Sequence, residues 1–266
     1  MKKKPIYVFA FLIIASFVLS FIIKAPQMEA EPISQAMKDA VVHNENKILF
    51  LGQEVNPGLV SAVTVSGIIL LVALIIRIFF IPKFSYVPSK GQIIIEEIVG
   101  YFNNLAKSNS PDRNKFLGAY IFAAGLYVFV GTIFELFGIQ ALTTTSRSLA
   151  LPAPLSDING AIALGGLSYL VILGGGLVSN GPKGLLKGLK DFSLPLSMSF
   201  RLFGALLSGL LVNELIYHYV YLSYGLPVVV AIVFTLLHAV IQAYVLTILT
   251  SLFYGEVSEV HGELKK

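Results

Sequence analysis

Apolar runs of about twenty residues or more recur along this chain, and such a chain has one solvent in which to fold. The runs are Ile6 to Ile23, Pro57 to Ile81, Phe116 to Ile139, Gly160 to Ser179, Ser193 to Leu222 and Pro227 to Tyr254. At ~1.5 Å rise per residue, helices of this length cover the ~30 Å hydrocarbon core of a bilayer. A helix also satisfies its own backbone groups there. The expected fold class is therefore an all-α polytopic membrane protein with five core transmembrane helices and an extra N-terminal hydrophobic helix. Ser193 to Leu222 would measure about 45 Å and must tilt, so the last two helices form a long tilted hairpin. A mean hydropathy of +0.80 with 13% charged residues in 266 excludes a soluble domain.

The chain divides at residues 24, 56 and 259. Met1-Lys2-Lys3-Lys4 before the first run gives residues 1–24 the form of a signal peptide or a signal-anchor; Pro26 and Met28 spoil the cleavage site and favour retention. Residues 25–56 are polar and net acidic, an external segment. Asn56 then caps, and Pro57 opens, a membrane domain over 57–259, and 260–266 is a cytoplasmic tail. Within it, Gln92 to Asn109 places Ile94, Ile95, Ile98, Phe102 and Leu105 on one side and Glu97, Asn103, Asn104 and Lys107 elsewhere. That suits a helix in the interface plane, with a short re-entrant segment as the alternative. With both ends cytoplasmic, thirteen Lys and Arg residues fall in inner segments and three, Lys38, Lys47 and Arg147, in the outer segments 25–56 and 140–159. The same distribution accounts for the formal +4 charge, so no nucleic acid is expected as a partner. With no cysteine and with His43, His218, His238 and His261 dispersed, neither a thiolate nor an imidazole metal site is expected. Gly181-Pro182-Lys183-Gly184 lacks the spacing of a phosphate loop, and no cofactor is expected.

Polar residues inside the apolar runs carry the functional signal. Arg201 is the only Lys or Arg between Lys190 and Lys265. A guanidinium keeps its proton, so at membrane depth it faces a watery cavity, a partner charge or a moving ion, or else snorkels to the headgroups. Ser197, Gly204 and Ser208 share its face at helical spacing and leave a small-residue strip for another helix. Glu214, Tyr217, His218 and Tyr221 form a second face nearer the outer surface. There Glu214 and His218, one turn apart, can pass a proton, or the histidine and tyrosines are interfacial belt residues. On the last helix Thr235, His238 and Gln242 align as a polar stripe. Gln242 can face Arg201, because consecutive helices joined by a short turn pack antiparallel. His238 alone fits a core histidine as well as a relay. Glu135 is the one acid near the far end of its span, and Asp157 is a natural cap for the helix that follows.

The pair Phe200-Arg201-Leu202-Phe203-Gly204 with Ser208-Gly209, and Ile241-Gln242-Ala243-Tyr244-Val245-Leu246-Thr247-Ile248-Leu249-Thr250 some forty residues later, resembles subunit a of the F-type ATP synthase membrane sector. Asp157-Ile158-Asn159 before a span and the tail Tyr254 to Glu259 agree, and the resemblance covers about Pro57 to Glu259. It implies proton translocation, with two offset half-channels and a tilted helix pair against a rotating ring of subunit c, without catalysis or nucleotide binding in this chain. The implied partners are that ring, the subunit b peripheral stalk, the other synthase subunits and the lipid bilayer, and the implied location is a bacterial plasma (inner) membrane. Arg201 would be the arginine that attracts the ring carboxylate and blocks leakage between half-channels, with Gln242 facing it. Asp157, Asn159 and Ser208 come with the matched motifs. Ala205 and Leu210 depart from the family's usual asparagine and Glu or His, which leaves Glu214, one turn on, to take that half-channel role beside His218 and His238. Glu135 stands where the family often has asparagine and adds an acid to the outer half-channel. Whether H⁺ or Na⁺ is carried is set in this family by the ring. A secondary transporter would need internal repeats, which the sequence lacks, and a membrane hydrolase would need a nucleophile or metal.

Overall fold

The computed structural model describes residues 47–111, 114–144, 146, 148–218 and 226–259, with isolated positions at 11, 14, 15, 18 and 34. The expectations for residues 1–46, for Tyr221 and for the tail 260–266 lie outside these. Six α-helices dominate: α1 Pro57–Ile75, α2 Lys90–Asn109, α3 Asn114–Phe134, α4 Ile158–Leu189, α5 Ser193–His218 and α6 Leu226–Ser258. Five of them, all but α2, are long and apolar enough to cross a membrane. The all-α polytopic expectation therefore holds.

Local chemistry explains the helix starts. Asn56 Oδ1 accepts from Gly58 N at 3.1 Å with Pro57 in the first turn, the capping expected of that pair. Helix α1 runs on through a wide turn, Ile76–Phe80, and a tight one, Ile81–Lys83, bringing Arg77 and Lys83 to its end. Ser89 caps α2, which is a single helix without the reversal a re-entrant segment requires. Its C-terminal turn is pinned under α6: Asn109 Nδ2 donates to Ser251 Oγ at 3.0 Å, and the Ser110 and Ser258 hydroxyls pair at 3.1 Å.

Helices α3 and α6 make the most extensive pairing. In lipid, helices gain little hydrophobic energy by meeting, so close van der Waals approach decides the contacts. A Cβ at Gly125 would lie 2.7 Å from Thr247 Cγ2, and one at Gly175 would lie 2.6 Å from Tyr254 Cζ. Around these contacts Leu117, Ile121, Val128, Ile172, Leu202 and Val257 are fully or almost fully buried. By contrast only 11% of the apolar window of α1 is buried, against 44% for α3. The first helix is thus peripheral.

Two features differ from the sequence expectation. The span expected to end at Ser179 continues to Leu189, because after Gly181 (φ 60°, ψ −147°) and Pro182 the chain resumes a helix and folds back until Gly176 and Gly184 touch. Residues on both sides of the turn close the end of α6: Asn180 Nδ2 donates to Val257 O and Glu259 O, each at 2.9 Å, and Lys187 Nζ to Glu256 O at 2.6 Å. These bonds satisfy carbonyls that a helix end leaves without partners. The segments before α1 and between α3 and α4 also carry two short hairpins, β1 Ile48–Phe50 with β2 Gln53–Val55, and β3 Gln140–Leu142 with β4 Ser148–Ala150. Thr144 N donates to Lys47 O at 2.9 Å and joins them.

Candidate functional site

Helix α5 has two opposed faces. Leu194, Met198, Leu202 and Leu206, four apart, are buried in the bundle. Ser197, Arg201, Gly204 and Ser208 are exposed on the other side, the strip the spacing predicted. Nothing lies within 4 Å of where a Gly204 side chain would begin, and Ser208 Oγ turns back to Ala205 O at 2.7 Å. Among the described residues no carboxylate or carbonyl pairs with Arg201. Leu196 and Phe200 flank it, 56% exposed each. A permanent cation without a partner thus sits on a lateral apolar surface.

The register between helices sets what lies at its level. A Cβ at Gly209 would be 3.5 Å from His238 Nδ1, so this glycine lets the imidazole lie against α5. Antiparallel helices advance oppositely at ~1.5 Å per residue. Gln242, four residues beyond His238, is therefore level with Ala205, one turn from Arg201. Helix α4 leads to the same level independently, since Gly165 packs on Ser199, 3.1 Å from its N, and Gly175 on Tyr254. Gln242 is nonetheless 6% exposed and points into the bundle, and its Oε1 has no hydrogen-bond partner among the described residues. No hydrogen bond joins it to Arg201. Thr235 is equally buried, and His238 is half-buried with its ring edge-on to Phe234 at 6.0 Å. The stripe of Thr235, His238 and Gln242 is real and faces inward.

Glu135 ends α3 in the tight turn Glu135–Phe137, half-buried and in contact with α6. Continuing the Gly125–Thr247 register ten residues outward places it level with Leu237, next to His238. Sequence spacing alone does not reveal this shared level, because the two residues are a hundred positions apart. Glu214 and His218 lie in the last turns of α5, on the same outer side, and their side chains are outside the described residues.

Asp157 and Asn159 are elsewhere. Asp157 Oδ1 accepts from Asn159 N at 2.9 Å and from its Nδ2 at 3.1 Å, the capping role expected of it. Its Cβ would be 2.7 Å from any side chain at position 58, so Gly58 is what admits it against α1. Both residues rim a groove of about 840 Å³ between α1, α3 and α4, with Asn56, Tyr120 and Tyr127. On α4 this groove is lined by Gly160, Ala163, Leu164 and Leu167, the side opposite Gly165 and α5. The structure brings Gln242, His238 and Glu135 near the level of Arg201 and beyond it, and turns Asp157 and Asn159 toward α1 and the groove, away from the face that carries Arg201.

The sequence matches the family model described as ATP synthase A chain over residues 61–255. Among its relatives are the proteins named ATP synthase subunit a from two strains of Cereibacter sphaeroides, each 28% identical over 193 residues, covering 66% of this chain and 73% of theirs. A bundle of helices long and apolar enough to cross a membrane, matched over most of its length by that family, identifies this chain as a member of the ATP synthase A chain family, a membrane-sector subunit that is not catalytic by itself.

Proposed function

We propose that this chain conducts protons through the membrane sector of an F-type ATP synthase, with Arg201 facing the carboxylates of a rotating ring of c subunits and the subunit b stalk holding it still. The observation that carries this reading is the exposure of Arg201, unpaired, on an apolar face stripped to Gly204 and small serines. An ion in hydrocarbon costs several kcal/mol unless it is paired, so this face calls for an external anion. An opposite charge within ~4–6 Å favours the ionised carboxylate, so a ring acid arriving there gives up its proton. Direct passage past the guanidinium is barred by like charge.

Protons then need separate routes on either side. His238, Glu135, Glu214 and His218 supply titratable groups for the outer half-channel, because an imidazole and carboxylates exchange protons where water reaches them. Gln242 offers an acceptor without adding charge, and Ser208 lines the strip the ring passes. Asp157 and Asn159 hold the outer mouth through the cap and its groove. The lysine-rich helix ends face the cytoplasm of a bacterial cell, which puts the C-terminus there.

The test is Arg201→Ala in inverted membrane vesicles. Synthesis driven by an ion gradient is lost while the complex remains assembled; unimpaired synthesis contradicts the role. Gradient formation by the intact complex, with and without sodium, separates H⁺ from Na⁺: proton pumping persists in sodium-free buffer if the reading holds.

A further inference from the structure

At the lysine-rich end of the bundle, on the side away from α5, a second lateral groove opens between α3 and α4. It encloses about 870 Å³, within the ~300–1,000 Å³ typical of small-molecule sites, and its floor is Gly175 with Tyr254. Leu170, Val171, Gly174 and Val178 of α4 and Phe116 of α3 form its walls. Leu170, Val178 and Phe116 are each more than 60% exposed, so the groove opens sideways to the bilayer rather than into the protein. Position 174 has nothing within 4 Å of a would-be side chain, which leaves a slot along α4. Only at one end is the lining polar: Asn114 and Lys115, in the first turn of α3, where the span leaves the membrane. Lys115 is exposed, and among the described residues no carboxylate pairs with it.

An apolar slot that begins at headgroup depth beside one unpaired cation matches a molecule with a hydrocarbon tail and a single anionic head. Chain burial alone confers no preference, because bilayer tails are as apolar as the slot. Selectivity must therefore come from the charge. We propose that this groove is a binding site for an anionic phospholipid, one acyl chain lying along Gly174 and the phosphate on Lys115. Basic pockets between transmembrane helices bind such headgroups, and the site is independent of the ion path on α5 and α6.

The intact ATP synthase complex is reconstituted in vesicles doped with phosphatidylglycerol or phosphatidylcholine carrying a photoreactive acyl chain, and crosslinks on residues 170–178 are quantified by peptide mass spectrometry. In the unaltered protein phosphatidylglycerol labels about fivefold more than phosphatidylcholine, the factor one lysine contributes at an anionic surface. Lys115→Gln brings the ratio to about one while retaining the phosphatidylcholine level. Gly174→Leu, whose side chain begins with nothing within 4 Å of its Cβ and extends into the slot, removes labelling by both. Equal labelling by the two lipids in the unaltered protein, meaning annular lipid only, overturns the proposal. So does absence of labelling by either, which would place another subunit over the groove.

Discussion

Because a guanidinium cannot shed its proton to suit hydrocarbon, the position of Arg201 dictates what must lie opposite it. Arg201→Lys should not restore function: a lysine in a dry setting loses its proton and lacks the planar fork that grips a carboxylate, so ATP-driven pumping stays at least about tenfold down. Pumping assays on equal amounts of assembled complex check this. Gln242 separates a packing role from a functional one. Its buried Oε1 lacks a partner among the described residues, and such a group costs ~1–3 kcal/mol. Gln242→Leu should therefore leave the melting temperature unchanged or raise it while proton flux falls; a stable variant with full flux would make the glutamine a core residue only. The polar stripe and the arginine strip were legible in the sequence, since residues three and four apart on a helix must share a face. The inward aim of Gln242 was not, because it depends on which neighbour each face of α6 meets.

At the scale of elements, glycine sets both the approach of helices and their turning. Gly181 adopts φ 60° and ψ −147°, a conformation essentially confined to glycine, so Gly181→Ala should lower stability by about 1–3 kcal/mol. Thermal unfolding of the detergent-purified chain measures it, and an unchanged midpoint would mean the kink is not required. Gly204→Leu is the opposite case: nothing lies within 4 Å of where its side chain begins, on an exposed face, so the helix should be unperturbed while ring-coupled pumping is lost. Pro57 and Asn56 announced the start of α1 because capping is local chemistry. Gly181-Pro182 is a local break of the same kind, but it does not reveal that the chain resumes a helix beyond it, nor that Asn180 before the break and Lys187 after it close the end of α6. The hairpins at Ile48–Val55 and Gln140–Ala150 escaped notice because three-residue strands have no periodicity to read, and their stability comes from docking on each other.

For the whole molecule, the five described spans and their burial form a gradient: α3 and α4 are central, α1 is peripheral, and α5 turns a charged face outward. Most of that plan followed from run lengths and bilayer thickness. The turning of Asp157 toward Gly58 of α1, away from the Arg201 face, did not, because their motif membership says nothing of which side of a helix each one occupies. The central claim is that the Arg201 face is covered by a moving partner helix bearing an acid. Since the chain contains no cysteine, a single Gly204→Cys is a clean reporter. Paired with a cysteine placed one turn from the acid on the ring subunit, it should form a disulfide in the assembled complex under mild oxidation and stop ATP-driven pumping until reduced. If Gly204→Cys forms no disulfide with any position on the ring helix, and instead reacts freely with a lipid-phase thiol reagent, Arg201 faces lipid and the account is contradicted.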